Sequence, residues 1–237
     1  MTQQPTGSIS VTALRQIRII ASLNDEQLAR LAEQCTWSRC DTATQILAQD
    51  APCDQVYFVC SGRVSAKTFS GAGKEITFAE LSSGDVFGEL SALDGEPRSS
   101  FVVTLEESLL ASLPAKAFND FLNDHHQVMR SVMIELAHRL RLADEKVFEF
   151  STLNTSNRIH AELLRLARAY PAEDNRVQIT PPPTHADLAS RTNATRESVT
   201  RALNRLKNDG LIDATRQCLT INDLEALATL IRDTAGD

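Results

Sequence analysis

The sequence predicts an α+β protein with an N-terminal antiparallel β-roll, one long helix and a C-terminal winged helix-turn-helix. Three observations predict it. Short β-rich runs broken by turn residues fill about 44–113. An apolar stripe at heptad spacing runs from Met129 to Phe150. A helix–turn–helix pattern spans Thr184 to Leu203, with a wing-like sequence after it.

The N-terminal stretch 20–35 reads as helix. Leu23, Leu28, Leu31 and Ala32 share one apolar face, and Asn24-Asp25-Glu26 give a start signal. Next come the strand-like runs Val56 to Val59, Arg63 to Thr68, Glu75 to Ala79 and Phe101 to Thr104. Ser61-Gly62, Ser70 to Gly73 and Ser82 to Asp85 punctuate them, as in an antiparallel barrel or roll. Met129, Met133, Leu136, Leu140, Ala143, Val147 and Phe150 then alternate steps of four and three. Arg130, Glu135, Arg139, Arg141, Asp144, Glu145 and Lys146 charge the other faces, the pattern of a two-stranded dimer helix. Asn154 and the polar residues after it read as a hinge, and a second helix is expected over Arg158 to Tyr170. Pro171 and Pro181 to Pro183 break the chain. After the helix-turn-helix come a short strand pair and a last helix from Asp223. Three regions follow: a roll over 1–124, a dimerisation helix and hinge over 125–154, and a winged helix-turn-helix over 155–237.

Composition narrows the function. Of the 237 residues, 42% are hydrophobic and 23% charged, as in a globular protein. No run approaches the ~18 apolar residues of a membrane span. Met1 to Ser10 is polar without an apolar core, so a cytoplasmic location is expected. The net charge of −7 argues against a general nucleic-acid coat protein, yet 184–216 holds six Lys/Arg against four Asp/Glu. One basic island on an acidic chain suits contact with DNA at a single place. Cys35, Cys40, Cys53, Cys60 and Cys218 form no Cys-x-x-Cys pair, and His125, His126, His138, His160 and His185 show no metal-motif spacing. No paired catalytic constellation is present, so neither an enzyme nor a metal site is expected.

Two motifs carry chemistry. The first runs from Phe87 to Ser100. A short helix opening near Gly88 would aim free N–H groups at a phosphate, and Arg98, the one Lys or Arg between Lys74 and Lys116, would pair with its oxygens. Glu89 would accept from a ribose hydroxyl, and Ser99 could donate once more. The second motif is the helix-turn-helix. Ala189 is small where helices cross, Asn193 tolerates a left-handed turn, and Thr195 can cap the second helix. Val199, Leu203 and Leu206 face inward, leaving Arg196, Glu197, Ser198, Thr200 and Arg201 to point away.

Gly88, Glu89, Leu90, Pro97, Arg98 and Ser99 fall on matching positions of the phosphate-binding cassette of cyclic-nucleotide-binding domains, and Ser100 joins the expected ligand set. From about residue 12 to 221 the chain resembles the cyclic-AMP receptor protein/FNR family of transcription regulators. That resemblance implies a cyclic-nucleotide-binding jelly-roll, a homodimer, palindromic double-stranded DNA with a TGTGA-like half-site, and RNA polymerase as a partner. Thr195 to Arg201 is similar to the family's recognition helix. By that similarity Arg196 and Arg201 read guanines and Glu197 accepts from a cytosine amine, the pairings that major-groove edges favour. Arg205 and Lys207 lie further along and suit phosphates. One departure concerns the base. Where the cyclic-AMP receptor presents a Thr-Ser pair to adenine, this chain has Ala143-Asp144. An ionised Asp144 can only accept, from adenine's amine or from guanine's ring N–H and amine. Cyclic AMP is the first expected ligand and cyclic GMP, or both, the second. A family member sensing another signal, or binding DNA constitutively, is the alternative.

Overall fold

The computed structural model describes residues 7–52, 54–71 and 73–234. The chain divides into two compact units, 1–140 and 141–237.

The first unit opens with helices α1 (Gly7–Leu14) and α2 (Asp25–Gln34). Asn24 caps α2 and Gln27 completes a capping box, so the expected start signal sets its first turn. The roll follows as strands β1 (Thr36–Cys40), β2 (Gln45–Leu47), β3 (Gln55–Ser61), β4 (Arg63–Phe69), β5 (Glu75–Ser82) and β6 (Val86–Phe87). Helix α3 (Glu89–Asp94), strands β7 (Phe101–Thr104) and β8 (Ser108–Pro114), and helix α4 (Ala115–Asp124) complete it. Two antiparallel sheets, β1-β8-β3-β6 and β2-β7-β4-β5, form the roll. Strand alternation decides what each face buries. Val59 on β3 meets Val64, Leu81, Phe87, Val102 and Leu110 in a core lined by both sheets, while Val56, Phe58 and Cys60 pack outward into a helical cluster. That cluster holds Leu28 and Leu31 of α2 with Phe118 and Leu122 of α4. The sequence patterns over 36–40 and 115–124 did not mark β1 and α4.

Helix α5 (His126–Thr152) is the long helix the heptad stripe predicts. Its use of that stripe differs from expectation. Val128 and Val132 are buried in the first unit's core, and Met129 and Leu136 pack against it, so the first part of the stripe belongs to an intrachain core. Met133, Leu140, Val147 and Phe150 remain exposed, with Ile134 and Phe148 beside them.

The second unit contains α6 (Thr155–Ala167), β9 (Ala172–Glu173), β10 (Arg176–Ile179), α7 (His185–Thr192), α8 (Arg196–Asn208), β11 (Ile212–Ala214), β12 (Leu219–Ile221) and α9 (Leu224–Thr234). Asn154, expected at the hinge, caps α6 by accepting from Asn157 N. Helix α6 therefore starts three residues before Arg158. The wing is a four-stranded sheet, β11-β12-β10-β9, wider than the expected strand pair. Ile159, Leu163, Leu188, Val199, Leu203, Leu206, Ile221 and Leu227 form one core beneath it. Among the described residues no helix is long and apolar enough to cross a membrane, and no group of three or more His, Cys, Asp or Glu could hold a metal ion. Cys53 lies outside the described residues.

Candidate functional site

The first site is built where β6 passes into α3. Gly88 caps α3 at φ +79°, and a Cβ there would stand 2.7 Å from Arg98 Nη1 and 3.1 Å from the Gln55 carbonyl. Both the left-handed backbone and the close approach of the guanidinium require glycine. Arg98 is 2% exposed. Its Nη1 donates to Gly88 O at 2.7 Å and its Nη2 to Gln55 O at 2.5 Å, with Asp54 Oδ1 at 3.4 Å. Its Nε is fully buried with no partner. Asn119 of α4 donates to Ala92 O at 2.7 Å and holds the far end of α3. Tyr57 stacks on Phe87 with centroids 4.9 Å apart, against the same strand end.

Glu89 is buried as well, and its Oε1 accepts from Arg139 Nη1 of α5 at 2.9 Å. Arg139 also donates to Val86 O at 2.8 Å and to Glu135 Oε1 at 3.0 Å. Burial pushes the Glu89 carboxyl above its usual range, and the Arg139 guanidinium opposes that rise. Of the other expected ligand residues, Leu90 and Ser99 are exposed and Ser100 is half-buried, next to the buried Arg98. Asp144 is exposed on α5, in the second unit. Arg139 escaped the sequence reading. Only its spacing of four from Glu135 hinted at a pairing, and nothing local points to Glu89.

The second site is the α7–α8 pair. Thr184 and Asp187 form a capping box on α7. Asn193 takes the left-handed turn at φ +51°, and Thr195 caps α8 by accepting from Ser198 N. Val199, Ala202, Leu203 and Leu206 are buried, which leaves Arg196, Glu197 and Arg201 exposed. Four of the expected contact residues, Thr195, Ser198, Thr200 and Arg201, make hydrogen bonds within the protein. Thr200 donates to Arg196 O at 2.9 Å and meets His185 Nδ1 at 2.8 Å, while Ser198 Oγ accepts from Arg201 Nη2 at 3.1 Å. The buried thiols are chemically quiet: burial pushes Cys35 and Cys60 up to about 12.

Known proteins align with both sites. The cyclic nucleotide-binding domain family matches residues 39–125, and the Crp-like helix-turn-helix domain family matches residues 157–230. A CRP-like cAMP-activated global transcriptional regulator of Mycobacterium tuberculosis is 27% identical over 188 residues, 79% of this chain and 84% of that protein. The cAMP-activated global transcriptional regulator CRP of Escherichia coli is 25% identical, over 80% of this chain and 91% of that protein. The c-di-GMP-responsive regulator CLP of Xanthomonas campestris shares the fold, with a TM-score of 0.73 at 20% identity over 84% of this chain and all of that one. A nucleotide-binding roll and a helix-turn-helix in one chain define a cyclic-nucleotide-binding transcription regulator. The chain belongs to the CRP/FNR family, whose members are regulators and not enzymes.

Proposed function

We propose that this chain is a cyclic-nucleotide-gated, sequence-specific DNA-binding regulator that acts in the cytoplasm as a homodimer on a palindromic TGTGA-like operator. The observation that carries the ligand is Arg98, a buried guanidinium beside Gly88 with an unpartnered Nε. A buried donor without a partner is costly, and a small anion at the mouth of α3 satisfies it. A cyclic phosphodiester has the right charge and size. Glu89, whose Oε1 accepts from Arg139, is the carboxylate that accepts from the ribose hydroxyl. Ser99 and Ser100 flank the phosphate, and Leu90 lies on the turn of α3 that begins there. Asp144 selects the base, with cyclic AMP as the first ligand and cyclic GMP, or both, as the second.

The DNA reading rests on Arg196, Glu197 and Arg201, exposed in the first turns of α8, with Thr195, Ser198 and Thr200 holding that end of the helix. The homodimer rests on Met133, Leu140, Val147 and Phe150, large apolar side chains exposed at heptad spacing. RNA polymerase is the partner that a regulator of this class addresses. A second reading, DNA binding without nucleotide, draws on Arg98 and Glu89 being paired already inside the protein. Fluorescence anisotropy on a palindromic TGTGA duplex, with and without each cyclic nucleotide, tests both. Affinity that rises only with nucleotide supports the first, and equal affinity without it the second.

A further inference from the structure

Beneath the DNA-reading helix lies a chain of buried charges that neither site uses. Glu162 is buried on α6, the helix that also supplies Ile159 and Leu163 to the second core. Its Oε2 accepts from Arg165 Nη1, and its Oε1 lies 3.3 Å from Arg191 Nη1, in the last turn of α7. Arg165 is forked in turn, and its Nη2 donates to Glu149 Oε1 of α5 at 2.5 Å. Lys146, one turn earlier on α5, acts on Glu162 as well. The line Glu149–Arg165–Glu162–Arg191 thus runs from the C-terminal part of the long helix, through α6, to the end of α7 just before the Asn193 turn. A second strap follows the same course. Arg158 donates to Leu153 O at 2.9 Å and to Thr192 O at 3.1 Å, and lies over the Phe150 ring at 5.4 Å.

Apolar packing alone does not need this. Buried ion networks are often matched or bettered in stability by apolar residues of similar volume, and their directional bonds fix one arrangement where Leu and Ala surfaces tolerate sliding. Burial pushes the Glu162 carboxyl upward, and Arg165 and Lys146 oppose that rise. We propose that Glu162 is a positioning residue for DNA reading: it fixes α7, and through the Asn193 turn α8, at one angle to the end of the long helix. The proposal rests on the assignment of α8 as the reading helix.

The test uses the full chain, Glu162→Gln and the charge-balanced double variant Glu162→Gln/Arg191→Gln. The single change leaves buried arginine charge unpaired and lowers both the melting temperature and operator affinity. The double variant recovers the melting temperature. Its affinity for the palindromic duplex at saturating cyclic AMP stays about tenfold below the parent, and amides of 188–194 exchange faster. A double variant with parental affinity and parental exchange overturns the proposal, because the network then contributes only stability. A single variant that keeps the parent's values overturns it too. If the parent binds no duplex, the functional reading falls, and the exchange of 188–194 still decides the proposal. If the single variant does not fold, the double variant carries the comparison.

Discussion

Arg139 reaches Glu89 across fifty residues of sequence, at 2.9 Å, and puts a guanidinium of the long helix on the carboxylate that opens the cassette helix. Arg139 also holds Val86 O at 2.8 Å, so one side chain grips both sides of Gly88. The cassette and the part of α5 within the first unit are therefore joined by direct hydrogen bonds.

That pair has a pH signature. Glu89 titrates above its ordinary value because burial outweighs Arg139. A carboxyl whose folded value is raised binds more protons in the folded state, so its contribution to stability falls as pH rises through that value. Arg139→Met removes the opposing charge and raises the carboxyl further. We expect the variant to lose about 2–3 kcal/mol at pH 7, with the difference from the parent shrinking as pH falls and Glu89 protonates. Urea unfolding at several pH values checks this, and a pH-independent difference would rule the coupling out.

Arg98→Ala should reduce cyclic-nucleotide affinity by ~2–5 kcal/mol, the usual effect of removing a charged partner from a desolvated anion. The structure adds a cost that the sequence does not show. Arg98 holds the carbonyls of Gly88 and Gln55, so the same change should lower stability by about 1–3 kcal/mol. Calorimetry with cyclic AMP, well below the variant's own melting temperature, separates the two effects. Unchanged affinity would remove Arg98 from the ligand site.

Local motifs were legible and long-range pairings were not. Asn193 and Thr195 adopt the turn and cap that their side chains favour, and Gly88 opens α3 as the motif requires, because one or two residues determine each conformation. Strand β9 is two exposed residues and β1 is largely polar, so neither carries the alternation that marks a strand. The heptad stripe looked uniform because Met129 and Leu136 are as apolar as Leu140. Only tertiary packing tells which of them a neighbouring core covers. Arg139–Glu89 and Glu162–Arg191 join residues fifty and twenty-nine apart, and no spacing rule reaches that far.

Leu140 is 63% exposed, so Leu140→Asp should leave each subunit folded. Placed in the middle of the proposed seam, the charge should split the dimer and abolish operator binding, since each half-site then engages one chain alone. Sedimentation velocity reads the mass, and a folded, dimeric variant would assign the exposed stripe another role.

Arg196→Ala and Arg201→Ala should each relax preference at one guanine by ~1–3 kcal/mol. Arg205 and Lys207, both exposed in the last turn of α8, should weaken all sequences alike when neutralised, as phosphate contacts do. Selection from randomised duplexes distinguishes these outcomes. The same motif returned by Arg196→Ala would refute this orientation of α8.

The base of the ligand should be sensed by Asp144. A ligand shifts an equilibrium only by its differential affinity for two states. The phosphate contacts proposed for Arg98 lie within the first unit, as its protein partners Gly88 and Gln55 do. An exposed acceptor on α5, four residues past the 140/141 division, is where a base could supply that difference. An ionised carboxylate can take one hydrogen from adenine's amine, or two from guanine's ring N–H and amine, whereas a serine hydroxyl can also donate. Asp144→Ser should therefore change the ratio of cyclic-AMP to cyclic-GMP affinity, with the greater loss falling on cyclic GMP, and alter the operator affinity reached at saturation. Calorimetric titration of each nucleotide, followed by anisotropy at saturation, reads both quantities. If all four values match the parent's, Asp144 is a solvated flank of the seam, and base selection must come from Ser99, Ser100 or another group in the roll.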